Sequence, residues 1–107
     1  MGDTLERILR LIRQGNLKIS EHGYDELADD GILVREVVSG VQNAVLVEDY
    51  PEFSKGPCVL VLQKDRIGRP IHVVWGMMRD ADSPAVLVTA YRPDPERWDE
   101  GFLRRKR

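Results

Sequence analysis

Near residue 44 the spacing of apolar residues changes, and that change restricts the chain to a mixed fold. Before it, apolar side chains recur at three- and four-residue intervals, the signature of helices packed on one face. Leu5, Ile8, Leu9 and Ile12 predict a helix over 4–14, with Asp3 and Glu6 as its capping pair and Gly15 as its stop. Ser20 is a helix cap for a second helix over about 21–29, whose apolar positions are Tyr24, Leu27 and Ala28, and Asp30-Gly31 breaks it. A third short helix covers about 34–40, with Val34, Val37, Val38 and Val41 inward. Leu17-Lys18-Ile19 between the first two helices reads as a short extended link.

After residue 44 the texture is β-branched. Four strands are predicted, at 44–49, 58–63, 71–76 and 85–91, separated by turns rich in Gly, Pro and Asp. The second and fourth are apolar almost throughout, which places them centrally and covered on at least one face. Short connections make the sheet an antiparallel meander. Pro93 and Pro95 then force extended backbone, and Pro95 suits the first turn of a C-terminal helix over 95–105. Trp98 and Phe102, four residues apart, would dock that helix. The expected architecture is therefore α+β: N-terminal helices on a small four-stranded antiparallel sheet, with a C-terminal helix, as one domain over residues 1–107.

The size of 107 residues supports one hydrophobic core, and 42% apolar with 32% charged residues belongs to a folded globular chain rather than a disordered one. The start Met1-Gly2-Asp3-Thr4 lacks the basic and apolar regions of a signal peptide, and no apolar run approaches the length that spans a bilayer. A cytoplasmic protein without a membrane partner is the expectation. Cys58, the only cysteine, excludes an intrachain disulfide and a cysteine-based zinc site, and its apolar run predicts a buried, inert thiol. The net charge of −2 is not that of a stand-alone nucleic-acid binder. Its distribution is uneven, acid-rich over 21–52 and basic at Lys64, Arg66, Arg69, Arg79, Arg92 and the tail, which permits RNA on one side and a protein partner on the other.

Candidate chemistry starts from the two histidines. His22 falls in the first turn of the second helix, where the dipole disfavours protonation; a neutral imidazole there serves as a general base or holds the helix start against the sheet. His72 lies on the strand face opposite Ile71, Val73 and Trp75, where a solvent-facing cross-strand residue is the simpler reading and a site residue the sharper one. No metal-binding spacing and no phosphate-cradling glycine loop is present, so neither metal nor other cofactor is expected. What remains is a cationic and aromatic set: Lys64, Arg66, Arg69, Arg79, Tyr91 and Arg92. Cleavage of RNA by its own 2′-hydroxyl needs a base, an acid and fixed positive charge, which His, Tyr, Lys and Arg on one sheet face can supply without a metal. Each of these residues alone is an ordinary solvated surface group; only convergence in space gives the set meaning.

Four strings carry a family resemblance: Ser20-Glu21-His22 followed by Asp29-Asp30-Gly31-Ile32; Lys55-Gly56-Pro57-Cys58-Val59-Leu60-Val61-Leu62; Gly68-Arg69-Pro70-Ile71-His72-Val73-Val74-Trp75-Gly76; and Val88-Thr89-Ala90-Tyr91-Arg92-Pro93-Asp94-Pro95-Glu96-Arg97-Trp98. They resemble a family of small bacterial proteins described as a domain of unknown function, itself similar to the RelE/ParE and BrnT toxin superfamily. The resemblance implies helices packed on a small antiparallel sheet and a type II toxin acting as an endoribonuclease on RNA or the ribosome. It also implies a cognate antitoxin of zinc-finger (MqsA/YgiT-like) or DNA-binding type. A descendant that kept the fold as a non-catalytic interaction module is the other reading, and homo-oligomers are compatible with either. Carried over by position, His22, His72 and Tyr91 would be catalytic, with Arg92, Lys64 and Arg79 on the phosphate. The mildly acidic total charge departs from the basic character usual for such toxins.

Overall fold

A computed structural model describes residues 3–106. Three helices, α1 (Asp3–Arg13), α2 (Glu21–Asp29) and α3 (Val34–Gly40), and a 3₁₀ turn at Val41–Asn43 accompany five strands. The strands are β1 (Leu17–Ile19), β2 (Val45–Tyr50), β3 (Cys58–Lys64), β4 (Pro70–Gly76) and β5 (Ala85–Tyr91), in the sheet order β1-β5-β4-β3-β2. The α+β class and the β2–β5 meander agree with the expectation. The four-stranded antiparallel sheet does not: Leu17–Ile19 is a fifth strand, parallel to β5 with Leu17 opposite Ala85, so the sheet is mixed. The reason is the apolar character of β5, which as the end of a meander would be an unpaired edge; β1 covers it.

Helices and sheet meet through one face. Leu5, Ile8 and Ile12 of α1, Leu27 of α2 and Val37 of α3 pack with Val59, Val61, Ile71, Val73, Trp75 and Leu87 of the sheet. The α1 pattern holds, except that Asp3 stands inside the first turn rather than as its cap. In α2 only Leu27 of the three predicted apolar positions is inward, while Tyr24 is 55% exposed and Ala28 is exposed. That helix is held by its start. Ser20 Oγ accepts from the Gly23 N–H at 2.9 Å, capping α2, and donates to the Val88 carbonyl at 2.9 Å, which fastens the cap to β5. Gly23 is buried because a Cβ there would lie 2.9 Å from the Leu87 carbonyl oxygen.

The expected C-terminal helix over 95–105 does not form. Arg97 and Trp98 N–H both donate to the Asp94 carbonyl, giving one turn. The Asp99 N–H then turns to Arg104 instead of Pro95, Gly101 interrupts the helical run, and Phe102 takes φ 59°. Residues 93–106 instead form a compact, irregular segment on the sheet face opposite the helices, closed on itself by a Trp98–Arg105 bridge. None of the described helices is long and apolar enough to cross a membrane.

Candidate functional site

Two β-bulges decide which side chains share the face away from the helices. On β5, Leu87 pairs with Trp75 but Thr89 pairs with Val74, so one extra residue is absorbed at Val88. Strict alternation would carry Tyr91 to the same side as Leu87, beneath the helices. The bulge turns it to the other face, directly opposite His72. On β2 a bulge between Leu46 and Glu48 does the same for Glu48, which pairs with Leu60. Glu48, Tyr50, His72 and Tyr91 therefore occupy one face.

His72 is fully buried there, a correction to the solvent-facing reading: its face was assigned correctly, but residues 93–106 cover it. Its Nε2 lies 2.8 Å from the carbonyl oxygen of Phe102. A carbonyl only accepts, so Nε2 carries the proton, and in the neutral ring Nδ1 accepts from the Tyr91 hydroxyl at 3.3 Å. Trp98, 3% exposed, stands edge-on to the imidazole at 4.4 Å between centroids. Arg105 lies 4.6 Å over the Trp98 ring and places two guanidinium nitrogens 3.1 Å from the two carboxylate oxygens of Glu48. Tyr50 donates its hydroxyl to the same carboxylate at 2.8 Å.

The electrostatics follow from these contacts. Burial pushes the His72 pKa below its ordinary value, and the Arg105 charge adds to that against the Phe102 carbonyl and Glu48. Burial raises Tyr91. The Arg105 hydrogen bond holds Glu48 below the usual carboxylate range despite partial desolvation. The neutral, hydrogen-donating His72 has a thermodynamic consequence. Below about pH 6.5 the unfolded histidine takes a proton that folded His72 refuses until a lower pH. The unfolded state binds more protons in that window, so stability falls as pH is lowered through it and is unaffected above it. Denaturant titrations between about pH 8 and about pH 5 should show this slope, and His72→Gln should lack it. A slope unchanged in His72→Gln would mean that the ring is not held neutral.

The remaining predicted residues do not join this cluster. His22 is exposed on α2, on the opposite face of the sheet, with Nε2 3.5 Å from Glu26. Ser20 and Gly23, not His22, hold the helix start. Lys64 is exposed at the end of β3, and Arg79 is exposed in the loop beyond the other end of β4. Arg92 is held at the β3–β4 hairpin: its guanidinium meets Asp65 at 3.0 Å and the Pro70 carbonyl at 3.3 Å, and its N–H donates to Asp30. Arg92 Nε is buried with no partner among the described residues. Although burial opposes it, hydrogen bonds from the Arg69 and Ile67 N–H groups and from Arg92 keep Asp65 below the usual range.

Beyond the His72 cluster the same face is open. A cavity of about 420 Å³, almost wholly apolar, is lined by Tyr50, Phe53, Cys58, Leu60, Val74 and Val88 among others. Cys58 is partly buried on its wall rather than fully buried, and desolvation, followed by the charge of Asp49, raises its thiol pKa. Among the described residues no group of three or more His, Cys, Asp or Glu side chains is placed to hold a metal.

Sequence reasoning missed Glu48, Trp98, the Phe102 carbonyl and Arg105. A carboxylate ending the apolar run Val45-Leu46-Val47 was the available signal, but the face of Glu48 depends on a bulge that alternation does not reveal. No curated protein and no solved structure matches the chain. Residues 19–92, a span that holds Glu48, His72 and Tyr91, match the family described as domain of unknown function DUF4258, and the chain belongs to that family.

Proposed function

We propose that this chain is a toxin-type, metal-independent endoribonuclease of the RelE/ParE and BrnT kind, kept in check by a cognate antitoxin. The observation that carries the reading is the meeting of His72 and Tyr91, opposite one another on the sheet, with Glu48 on the same face. Glu48 and His72 stand on β2 and β4 with β3 between them and two residues out of line, so their backbones are about 12 Å apart. In-line transfer needs a base and an acid on opposite sides of the phosphorus, and that separation leaves room for a phosphate. Glu48 takes the 2′-hydroxyl proton, the 2′-oxygen bonds to phosphorus, and the bond to the 5′-oxygen breaks. His72 gives its Nε2 proton to the leaving oxygen while its Nδ1 takes the Tyr91 hydroxyl proton, so the ring stays neutral, and the tyrosinate left behind is reprotonated from solvent as Glu48 releases the proton it took. Arg105, 3.1 Å from Glu48, is the nearest cation to the site; Arg92, held at the β3–β4 hairpin by Asp65, and Lys64 are the further cations for the phosphate. His22 and Arg79 lie apart from this set and carry no role in it.

The test is expression of the chain alone in a bacterium, with growth and RNA integrity followed. Growth arrest and RNA fragments ending in 2′,3′-cyclic phosphate are expected. Tyr91→Phe and Glu48→Gln should slow cleavage by about 100-fold, the scale of one lost proton-transfer group, while His22→Ala leaves it unchanged. Normal growth with intact RNA would overturn the reading. It would favour the second one, a non-catalytic interaction module, which the exposed Tyr50, Phe53 and Met78 around the apolar cavity support.

A further inference from the structure

The His72 cluster is sealed, and what seals it is unlike the rest of the molecule. Residues 93–106 lie outside the span that matches the family. Among the described residues, their backbone hydrogen bonds stay within the segment: Arg97 and Trp98 to Asp94, Asp99 to Arg104, Phe102 to Asp99 and Lys106 to Arg97. No ladder joins the segment to the sheet. Its polar and aromatic contacts with the sheet are the buried Trp98 ring against His72, one carbonyl on Nε2, and the Arg105–Glu48 pair. Arg105 is 60% exposed, so that bidentate ion pair is open to screening by salt. Phe102 sits in the left-handed region that a bulky side chain disfavours.

The ground beneath is built for more than structure. Leu60, Leu62 and Val74 surround His72 on the same face, and an apolar residue would fill its place without any partner. A histidine there needs two hydrogen bonds; one comes from the sheet itself, through Tyr91, and the other only from the covering segment. The cluster also adjoins the open cavity. Tyr50 and Val74 line the cavity, Glu48 is hydrogen-bonded to Tyr50, and His72 is the next residue on that face of β4 from Val74. Lifting the segment would join cavity and cluster into one groove.

We propose that residues 93–106 form a detachable strap that blocks the His72–Tyr91–Glu48 site in the closed protein, so that RNA reaches it only when the strap lifts. The strap rests on the nuclease reading for what the opened site does, but its opening is measurable without any reaction. In the parent protein, native-state hydrogen exchange should show the amides of Trp98, Asp99 and Lys106 exchanging about tenfold or more faster than those in the middle of β3 and β4. Diethyl pyrocarbonate should modify exposed His22 readily and His72 slowly, and Trp98→Ala should raise the His72 rate about tenfold or more while sheet exchange is unchanged. Strap amides that exchange only together with β3 and β4 would overturn the proposal, as would a His72 in the parent that reacts as fast as His22. Because the exchange measurement uses the parent chain, a Trp98→Ala protein that fails to fold does not remove the test. Faster RNA cleavage by Trp98→Ala supports both ideas. An accessible His72 with RNA left intact supports the strap and counts against the nuclease.

Discussion

Replacing Gln63 by Leu should destabilise the protein by about 2–5 kcal/mol, a large part of the ~5–15 kcal/mol that holds a small domain together. Gln63 is a polar residue in the packed layer between sheet and helices, 2% exposed. Its Nε2 donates to the Val37 carbonyl of α3 at 2.8 Å, and its Oε1 accepts from the Trp75 indole N–H at 3.0 Å. Trp75 is itself fully buried. Leu fills a similar volume but leaves one buried donor and one buried acceptor bare, each costing about 1–3 kcal/mol. The pair should also be coupled. In Gln63→Leu/Trp75→Phe only the Val37 carbonyl is stranded, so the double variant should be more stable than the two single losses sum to, by about 1 kcal/mol or more. Urea titrations of the four proteins measure this. A Gln63→Leu protein within about 0.5 kcal/mol of the parent would show that the network contributes little.

Gly56→Ala should be the next most damaging change, at about 2–4 kcal/mol. Gly56 has φ 131°, and a Cβ on it would overlap the Met77 carbonyl oxygen and lie 2.8 Å from the Arg79 N–H nitrogen. Both neighbours are backbone, so relief requires the loop after β2 to separate from the loop after β4, where the Met77 N–H donates to the Pro57 carbonyl at 3.0 Å. Gly68 supplies the control. It also has a positive φ, 86°, but nothing lies within 4 Å of its Cβ position. Gly68→Ala should therefore carry only the backbone penalty of about 1–2 kcal/mol. Thermal melts of the two variants separate the terms, and equal losses would show that the loops part freely.

The N-terminal helices and the meander were legible because each has a periodicity that local physics enforces. Ser20 and Gly15 were legible for the same reason, since a cap and a left-handed stop depend on adjacent backbone alone. β1 was not: three residues carry no period, and only β5, distant in sequence, makes Leu17–Ile19 a strand. A nearly apolar final strand was the clue, because it demanded a neighbour that the meander could not provide. The C-terminal helix failed for the opposite reason. Trp98 and Phe102 have helical spacing, yet Gly101 and the Asp99–Arg104 hydrogen bond favour a turn that brings Trp98 and the Phe102 carbonyl onto His72. For the site, the resemblance pointed to His72 and Tyr91, and the register places them opposite one another. Glu48 and Arg105 were hidden behind two features that alternation cannot express, a bulge and a tertiary turn. His22 stood out through its motif, but Ser20 and Gly23 explain that motif structurally.

The parallel strand also governs the order in which the chain can assemble. Ser20 reaches Val88 across 68 residues of sequence, and β1 has no other partner in the sheet. Hairpins β2–β3, β3–β4 and β4–β5 close short loops and can form early. During synthesis α1, β1 and α2 emerge before the meander, with the apolar faces of Leu5, Ile8 and Leu27 uncovered, and wait for β5 to be completed. Elements made before the meander are thus the last to find their place, and a chaperone would meet them bare until the residues around Leu87 have appeared.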